Sequence, residues 1–139
     1  MKLTIENIKL SGAISVLDKL VLVGLPSVHR TRLSTQLLEK LKQVAEEEKK
    51  LKESYAKKDD AGETIIVDGK YQFEDGDQEK VVQDLEAFYK EKVVIDSGDN
   101  PTYLKSVKKA LEESQVAWSG QQAYDYAYLY EAFEGGEQE

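Results

Sequence analysis

The chain has 139 residues and no cysteine, and 19 lysines and arginines against 27 aspartates and glutamates give it a net charge of −8. This length suits one core, so we predict a single domain over residues 1–139. The composition excludes disulfides and thiolate chemistry, no apolar run reaches membrane-span length, and the acidic balance disfavours nucleic acid as a partner.

The charge is distributed unevenly along the chain. Residues 1–58 carry a net charge of +5, whereas residues 59–139 carry −13. Two interpretations stay open at this stage. Faces of opposite sign can pack or lie near each other within the fold, or the acidic half can form a surface that meets a basic partner.

The first segments alternate between short strands and helices. Residues 3–5 favour a strand, and Asn7 is predicted to cap a helix whose apolar side chains recur at helical spacing. The apolar run at residues 20–23, which Gly24 ends, predicts a second short strand or an extended link. Pro26 suits the first turn of the next helix, where its missing N–H costs nothing.

The middle of the sequence predicts an arm, at about residues 28–92, in which two antiparallel helices carry a β-hairpin. Residues 28–57 and 78–92 both repeat their apolar side chains at helical spacing. Between them, Asp68-Gly69 separates two β-prone runs. This dipeptide is the signature of a type I′ turn, because both central residues need a positive φ.

The first arm helix has a near-heptad apolar seam that is longer than the second helix. We expect the excess, near Leu37 and Leu41, to pack on the rest of the fold, with association of copies through the arm as the alternative. The seam consists of Leu37, Leu41, Val44, Leu51 and Tyr55.

The last third predicts one more strand and two C-terminal helices. The strand lies at residues 93–96, and an amphipathic helix follows at residues 102–115. Ser119 is predicted to cap the final helix, which runs to about Phe133 and precedes an acidic tail at about residues 134–139. We therefore predict a helix-dominated α+β fold: the helix–β-hairpin–helix arm, a small sheet from the strands outside the hairpin, and two C-terminal helices.

The final helix is rich in tyrosine. Its predicted apolar face consists of Ala123, Tyr126, Ala127, Tyr130 and Phe133. Tyrosines on the other side, beside carboxylates, either form a partner surface or pack as a second face. The candidate interaction surface comprises Tyr124, Asp125, Tyr128 and Glu131.

A second candidate site lies near the start of the long helix. His29, Arg30 and Arg32 could contact an anion or phosphate there, because a helix N-terminus favours negative charge. A structural salt-bridge role for the two arginines is the alternative. No nucleophile motif accompanies His29, so we do not predict a catalytic base.

The sequence contains no motif for a cofactor, a metal or a catalytic centre. Carboxylates cluster at residues 59–60, 74–77 and 96–100, but none of these segments matches a calcium-binding loop. Asp and Gly are also the residues that turns and helix caps use. We expect no cofactor and no enzymatic activity, and weak metal binding at the carboxylate clusters stays open.

Several short segments, spread over nearly the whole chain, together resemble one protein family. They are residues 1–7, 20–27, 30–33, 37–41, 55–59 with Gly62, 68–71 and 118–120 before the tyrosine-rich helix. The chain resembles a family of small proteins of unknown function that tailed phages and prophages of low-GC Gram-positive bacteria encode. Genes of this family typically lie in the late region, near tail and lysis genes.

This resemblance implies an accessory protein that acts through protein–protein contacts in tail or virion assembly. Its partners would be phage structural or assembly proteins, in the host bacterial cytoplasm or on the virion, and it implies no catalytic residues. The alternative is an inhibitor of a host defence protein, with the acidic half as a nucleic-acid mimic or a plug for a basic groove. A homo-oligomer is a further option, and no membrane partner is expected.

Overall fold

The computed structural model describes residues 1–136. Residues 134–136 of the predicted tail belong to the last helix instead, and residues 137–139 lie outside the described residues. The helices are α1 (Leu10–Lys19), α2 (Leu25–Tyr55), α3 (Asp77–Lys90), α4 (Thr102–Glu112) and α5 (Gln121–Gly136), and a 3₁₀ turn (Asn7–Lys9) precedes α1. The strands are β1 (Lys2–Glu6), β2 (Ile66–Val67), β3 (Lys70–Tyr71) and β4 (Lys92–Asp96). The predicted helix-dominated α+β fold is confirmed.

The chain divides into two compact units that share helix α2. Unit 1 comprises residues 1–41 and the segment from Lys92 onward, and unit 2 comprises residues 42–91. The predicted arm begins at about residue 28, whereas unit 2 begins at residue 42. The start of α2 belongs to unit 1, where Leu33 and Leu37 are fully buried. The seam therefore meets the rest of the fold near Leu37, as predicted.

The sheet of unit 1 consists of β1 and β4 in antiparallel register. Leu3 lies opposite Ile95 and Ile5 opposite Val93. Leu3, Ile5 and Ile95 are buried, whereas their neighbours along each strand are more exposed, which is the alternation expected of a strand with one face on the core.

The strand that we considered for residues 20–23 is absent from this sheet, and the alternative, an extended link, is correct. Leu20 has extended backbone at the end of α1, and its carbonyl accepts a hydrogen bond from Arg30 of α2. This bond holds the segment against α2 instead of against β1 or β4.

Two predicted helix caps are wrong, and one helix start is correct. Asn7 is buried inside the 3₁₀ turn, and α1 begins after Lys9 without a side-chain cap. Helix α5 begins at Gln121, after Gly120 with a φ of 59°, and not directly after Ser119. Pro26 lies in the first turn of α2, as predicted.

The buried face of α5 agrees with the predicted one at Phe133 and differs from it elsewhere. Leu129 and Phe133 are fully buried, whereas Ala127 is exposed and Tyr126 and Tyr130 are half-buried. Helix α5 packs against both β1 and α1, so the side that faces those two elements becomes the core side. The pattern of apolar residues within α5 cannot reveal this rotation.

Unit 2 contains the second half of α2, the hairpin and α3. The hydroxyl of Tyr55 in α2 donates to Asp84 in α3 at 2.6 Å. Glu48, earlier in α2, lies beside Tyr89, later in α3. Since residue numbers rise along one helix as they fall along the other, α2 and α3 are antiparallel within this unit, as predicted. Val44, Val81 and Phe88 are buried there.

The hairpin has the predicted turn. Asp68 and Gly69 both have positive φ, 53° and 76°, and Ile66 pairs with Tyr71 on either side of them. Asp68 has the only positive φ outside glycine in residues 1–136. The type I′ hairpin is therefore confirmed at the predicted residues.

Candidate functional site

The candidate interaction surface on α5 has one strongly exposed aromatic side chain. Tyr124 is 74% exposed, and Glu131 is exposed farther along the helix. Tyr128, one turn after Tyr124, is half-buried, and its hydroxyl accepts a hydrogen bond from the backbone N–H of Glu6 at 3.0 Å. The surface thus combines a free tyrosine with one that is bonded to β1.

A polar cleft lies next to Tyr128, between β1 and α5. Its volume is about 370 Å³, and Glu6, Lys92 and Glu131 place charges of both signs around it. Burial raises the pKa of Tyr128 and outweighs the hydrogen bond from the Glu6 N–H, which lowers it. The negative charge of Glu6 acts in the same direction as burial. The cleft offers hydrogen-bond donors and acceptors to a polar group of a ligand or partner.

Asp125 serves the packing of α5 on α1. A Cβ atom built on Gly12 of α1 would lie only 2.6 Å from the carboxyl carbon of Asp125, so a larger residue at position 12 would displace this carboxylate. Asp125 also accepts a hydrogen bond from Gln121 at 3.1 Å. This predicted surface residue is half-buried at the helix crossing.

The three residues of the predicted anion site have separate neighbours. Arg30 donates from Nη1 to the carbonyls of Leu17 at 2.9 Å and Leu20 at 2.8 Å, at the C-terminal end of α1. A cationic side chain is favourable there, because the helix dipole is negative at that end. Arg30 therefore has the structural role that was the alternative, although it bonds to carbonyls and not to a carboxylate.

His29 and Arg32 do not join Arg30 in one cluster. The guanidinium of Arg32 lies over the ring of Tyr103, 5.3 Å from its centroid. His29 is 7% exposed, and its Nδ1 atom has no hydrogen-bond partner among residues 1–136. The structure thus places the three side chains in three different environments.

A stacked pair of aromatic rings joins the segment before α5 to the helix itself. Trp118 stacks on Tyr126 with ring centroids 4.9 Å apart, and the ammonium of Lys19 lies over Trp118. The hydroxyl of Tyr126 donates to the carbonyl of Leu111 at 2.5 Å. These contacts bind α4 and α5 together, which explains why Tyr126 is half-buried.

Sequence reasoning missed an exposed apolar surface that surrounds the start of α2. The exposed fractions are 88% for Val21, 85% for Val23, 63% for Leu25 and 52% for Val28. The available signal was the run of residues 20–28, which contains no charged side chain and has no partner strand. We name Val21, Val23, Leu25 and Val28 the valine surface.

A metal centre would require several ligating side chains close together. Among the described residues, no group of three or more histidines, aspartates and glutamates is arranged to hold an ion.

None of the helices in residues 1–136 combines the length and the apolar character that crossing a membrane requires.

Comparison with known proteins places the chain in a family. No curated protein and no solved structure matches it. The sequence model of a family described as "Protein of unknown function (DUF1617)" matches residues 1–138. Because this match covers nearly every residue, the chain belongs to the DUF1617 family.

Proposed function

We propose that this protein is a non-enzymatic phage accessory protein that acts through protein–protein contacts in tail or virion assembly. The phage part of the proposal is supported by the resemblance of segments such as residues 20–27 and 30–33 to phage and prophage proteins of low-GC Gram-positive bacteria. The contact part is supported by the surface of α5.

The observation that carries the proposal is the exposure of Tyr124 on a rigid helix. Its side chain is 74% exposed, and the helix is held in place by the bond between Tyr128 and Glu6. A tyrosine on a fixed helix gives a partner a large contact area at low entropic cost, and tyrosine is enriched at binding hot spots. A partner gains this contact without reorganising the protein.

The cleft between β1 and α5 gives the same surface a recess. Its opening is lined by Tyr128 and Glu131, and Lys92 supplies a positive charge in it. A polar side chain of a partner can enter this recess while the partner covers Tyr124. Together with the resemblance to phage proteins, this recess supports phage structural or assembly proteins as the proposed partners of this face.

Mass spectrometry of purified virions tests the proposal. In a phage that encodes this protein, we expect the chain in virions or in tail-assembly intermediates, and we expect Tyr124→Ala to reduce its amount there at least several-fold. Ala127→Ser, a change at another exposed position of α5, serves as the matched control. The proposal fails if the chain is absent from both, or if Tyr124→Ala is incorporated as well as the control.

The second candidate function is inhibition of a host defence protein, which the hairpin of unit 2 favours. Ile66 and Val67 are 57% and 51% exposed, and residues 59–77 carry seven carboxylates and one lysine. An apolar hairpin among carboxylates is complementary to a basic groove that binds nucleic acid. In this case the chain is absent from virions and co-purifies with a host protein from infected cells, and Val67→Lys weakens that association.

A further inference from the structure

The link between α1 and α2 starts with extended backbone and has no strand beside it. Leu20 has a φ of −64° and a ψ of 131°, and residues 21–23 belong to no helix or sheet. The N–H and C=O groups of Val21, Leu22 and Val23 make no hydrogen bond with the described residues. Unpaired backbone groups in an extended segment are a template for pairing with another strand.

The side chains of this link alternate as they do in a strand with one face on a core. Val21 and Val23 are 88% and 85% exposed, whereas Leu22 between them is half-buried. The valine surface continues from these residues onto the first turn of α2. Contiguous apolar surface of this kind marks an interaction site, in contrast to single exposed apolar residues.

The position of the link is fixed by contacts on both sides. Arg30 bonds to the carbonyls of Leu17 and Leu20, and the carbonyl of Gly24 accepts from the N–H groups of Ser27 and Val28. The link is therefore held at both ends before any partner arrives. A partner strand does not pay the cost of ordering it.

We infer that the occupant of this surface is a second copy of the chain, whose own residues 20–24 add to these as an antiparallel strand about a twofold axis. A twofold interface brings the same residues of both copies together, so each charge near the axis meets a like charge. Residues 20–28 contain no charged side chain, so two copies that pair through this segment bring no like charges of the segment together.

The hairpin of unit 2 illustrates the contrast. Ile66 and Val67 are also exposed, but their strand is already paired with β3, and Asp68 follows directly. Two hairpins in contact would bring carboxylates together. Self-association is therefore assigned to the valine surface and not to the hairpin.

Measurement of the molar mass in solution, by sedimentation over a range of concentrations, tests the pairing. The parent chain should reach twice its 15.7 kDa, and V23D should stay at 15.7 kDa because pairing would bury its carboxylate. The matched control, V67D, should dimerise like the parent. If V23D loses its helical circular dichroism, V21K repeats the comparison.

Cross-linking identifies the segment directly, since the chain has no cysteine of its own. Under mild oxidation the double variant V21C/V23C should form a covalent dimer, whereas I66C/V67C should not. A parent chain that stays monomeric, a V23D variant that still dimerises, or a V21C/V23C variant that links no better than the control each overturns the inference. Occupation of the valine surface by a different protein in place of a second copy also overturns it.

Discussion

Tyr128 of α5 and Glu6 of β1 are joined by a hydrogen bond of 3.0 Å between the tyrosine hydroxyl and the backbone N–H, across 122 positions of the chain. This bond satisfies a donor of β1 that β4 does not use. It also fixes α5, and with it the exposed Tyr124, relative to the sheet. Tyr128, which was predicted to be part of the interaction surface, thus holds in place the helix that carries Tyr124.

The first prediction concerns this bond. Tyr128→Phe keeps the ring but leaves the N–H of Glu6 without its partner, so the free energy of unfolding should fall by about 1 kcal/mol. Tyr124→Phe removes a hydroxyl from an exposed ring and should change it by less than about 0.5 kcal/mol. Denaturant unfolding of the two variants makes the comparison. An equal effect of both changes would contradict the role of the bond.

The second prediction concerns alkaline pH. Burial and the charge of Glu6 raise the pKa of Tyr128 above its ordinary value of 10.0, so the folded state holds the phenol proton more tightly than the unfolded state. This contribution to stability is complete below pH 10 and is lost as the pH rises through the raised pKa. Thermal unfolding from pH 9 to 12 should therefore decline less steeply for Tyr128→Phe than for the parent chain. Equal slopes would refute the shift.

The third prediction uses two neighbouring glycines of α5. A Cβ atom on Gly136 would clash with the backbone carbonyl of Lys2, whereas a Cβ atom on Gly135 meets no atom within 4 Å. Gly136→Ala should destabilise the protein by about 1–3 kcal/mol, since the backbone must move to admit the methyl group. Gly135→Ala should be neutral or stabilising by up to about 1 kcal/mol, because alanine favours the helix. Their melting temperatures should shift in this order, and the reverse order would show that α5 does not lie on Lys2.

The fourth prediction separates the two arginines of the predicted anion site. Arg30→Ala removes two charge-assisted hydrogen bonds to the end of α1, so the free energy of unfolding should fall by about 1.5–3 kcal/mol. Arg32→Ala removes the guanidinium of an exposed residue from the ring of Tyr103 and should cost about 0.5–1 kcal/mol. Chemical denaturation measures both losses. If Arg32→Ala costs more than Arg30→Ala, the structural role assigned to Arg30 is wrong.

The features that sequence reasoning identified are those that neighbouring residues determine. The turn at Asp68-Gly69 follows from the positive φ that both residues tolerate, and the ends of α2 and α3 lie within a few residues of the prediction because helical spacing persists along each segment. The antiparallel arrangement of α2 and α3 follows from the β-hairpin between them, which reverses the direction of the chain. None of these features depends on a partner that is distant along the chain.

The features that were wrong or missed depend on such distant partners. The core side of α5 is decided by β1, more than 100 residues earlier, and residues 20–23 lack a neighbouring strand although their composition suits one. The hydrogen bonds from Arg30 to the carbonyls of Leu17 and Leu20 cannot be read from the sequence, because every residue has a backbone carbonyl. Arg30 was therefore interpreted as a ligand for an anion. In each case the tertiary neighbour, and not the local pattern, determines the role.

The late position of β4 and α5 constrains how the protein folds during its synthesis. Strand β1 is synthesised well before its neighbours, Lys92–Asp96 and Gln121–Gly136, so its apolar side chains Leu3 and Ile5 remain uncovered until those segments have been made. Residues 42–91, whose contacts are local, can fold while unit 1 is still incomplete. Slow translation therefore prolongs the exposure of β1, which makes this strand a target for chaperones that hold nascent chains.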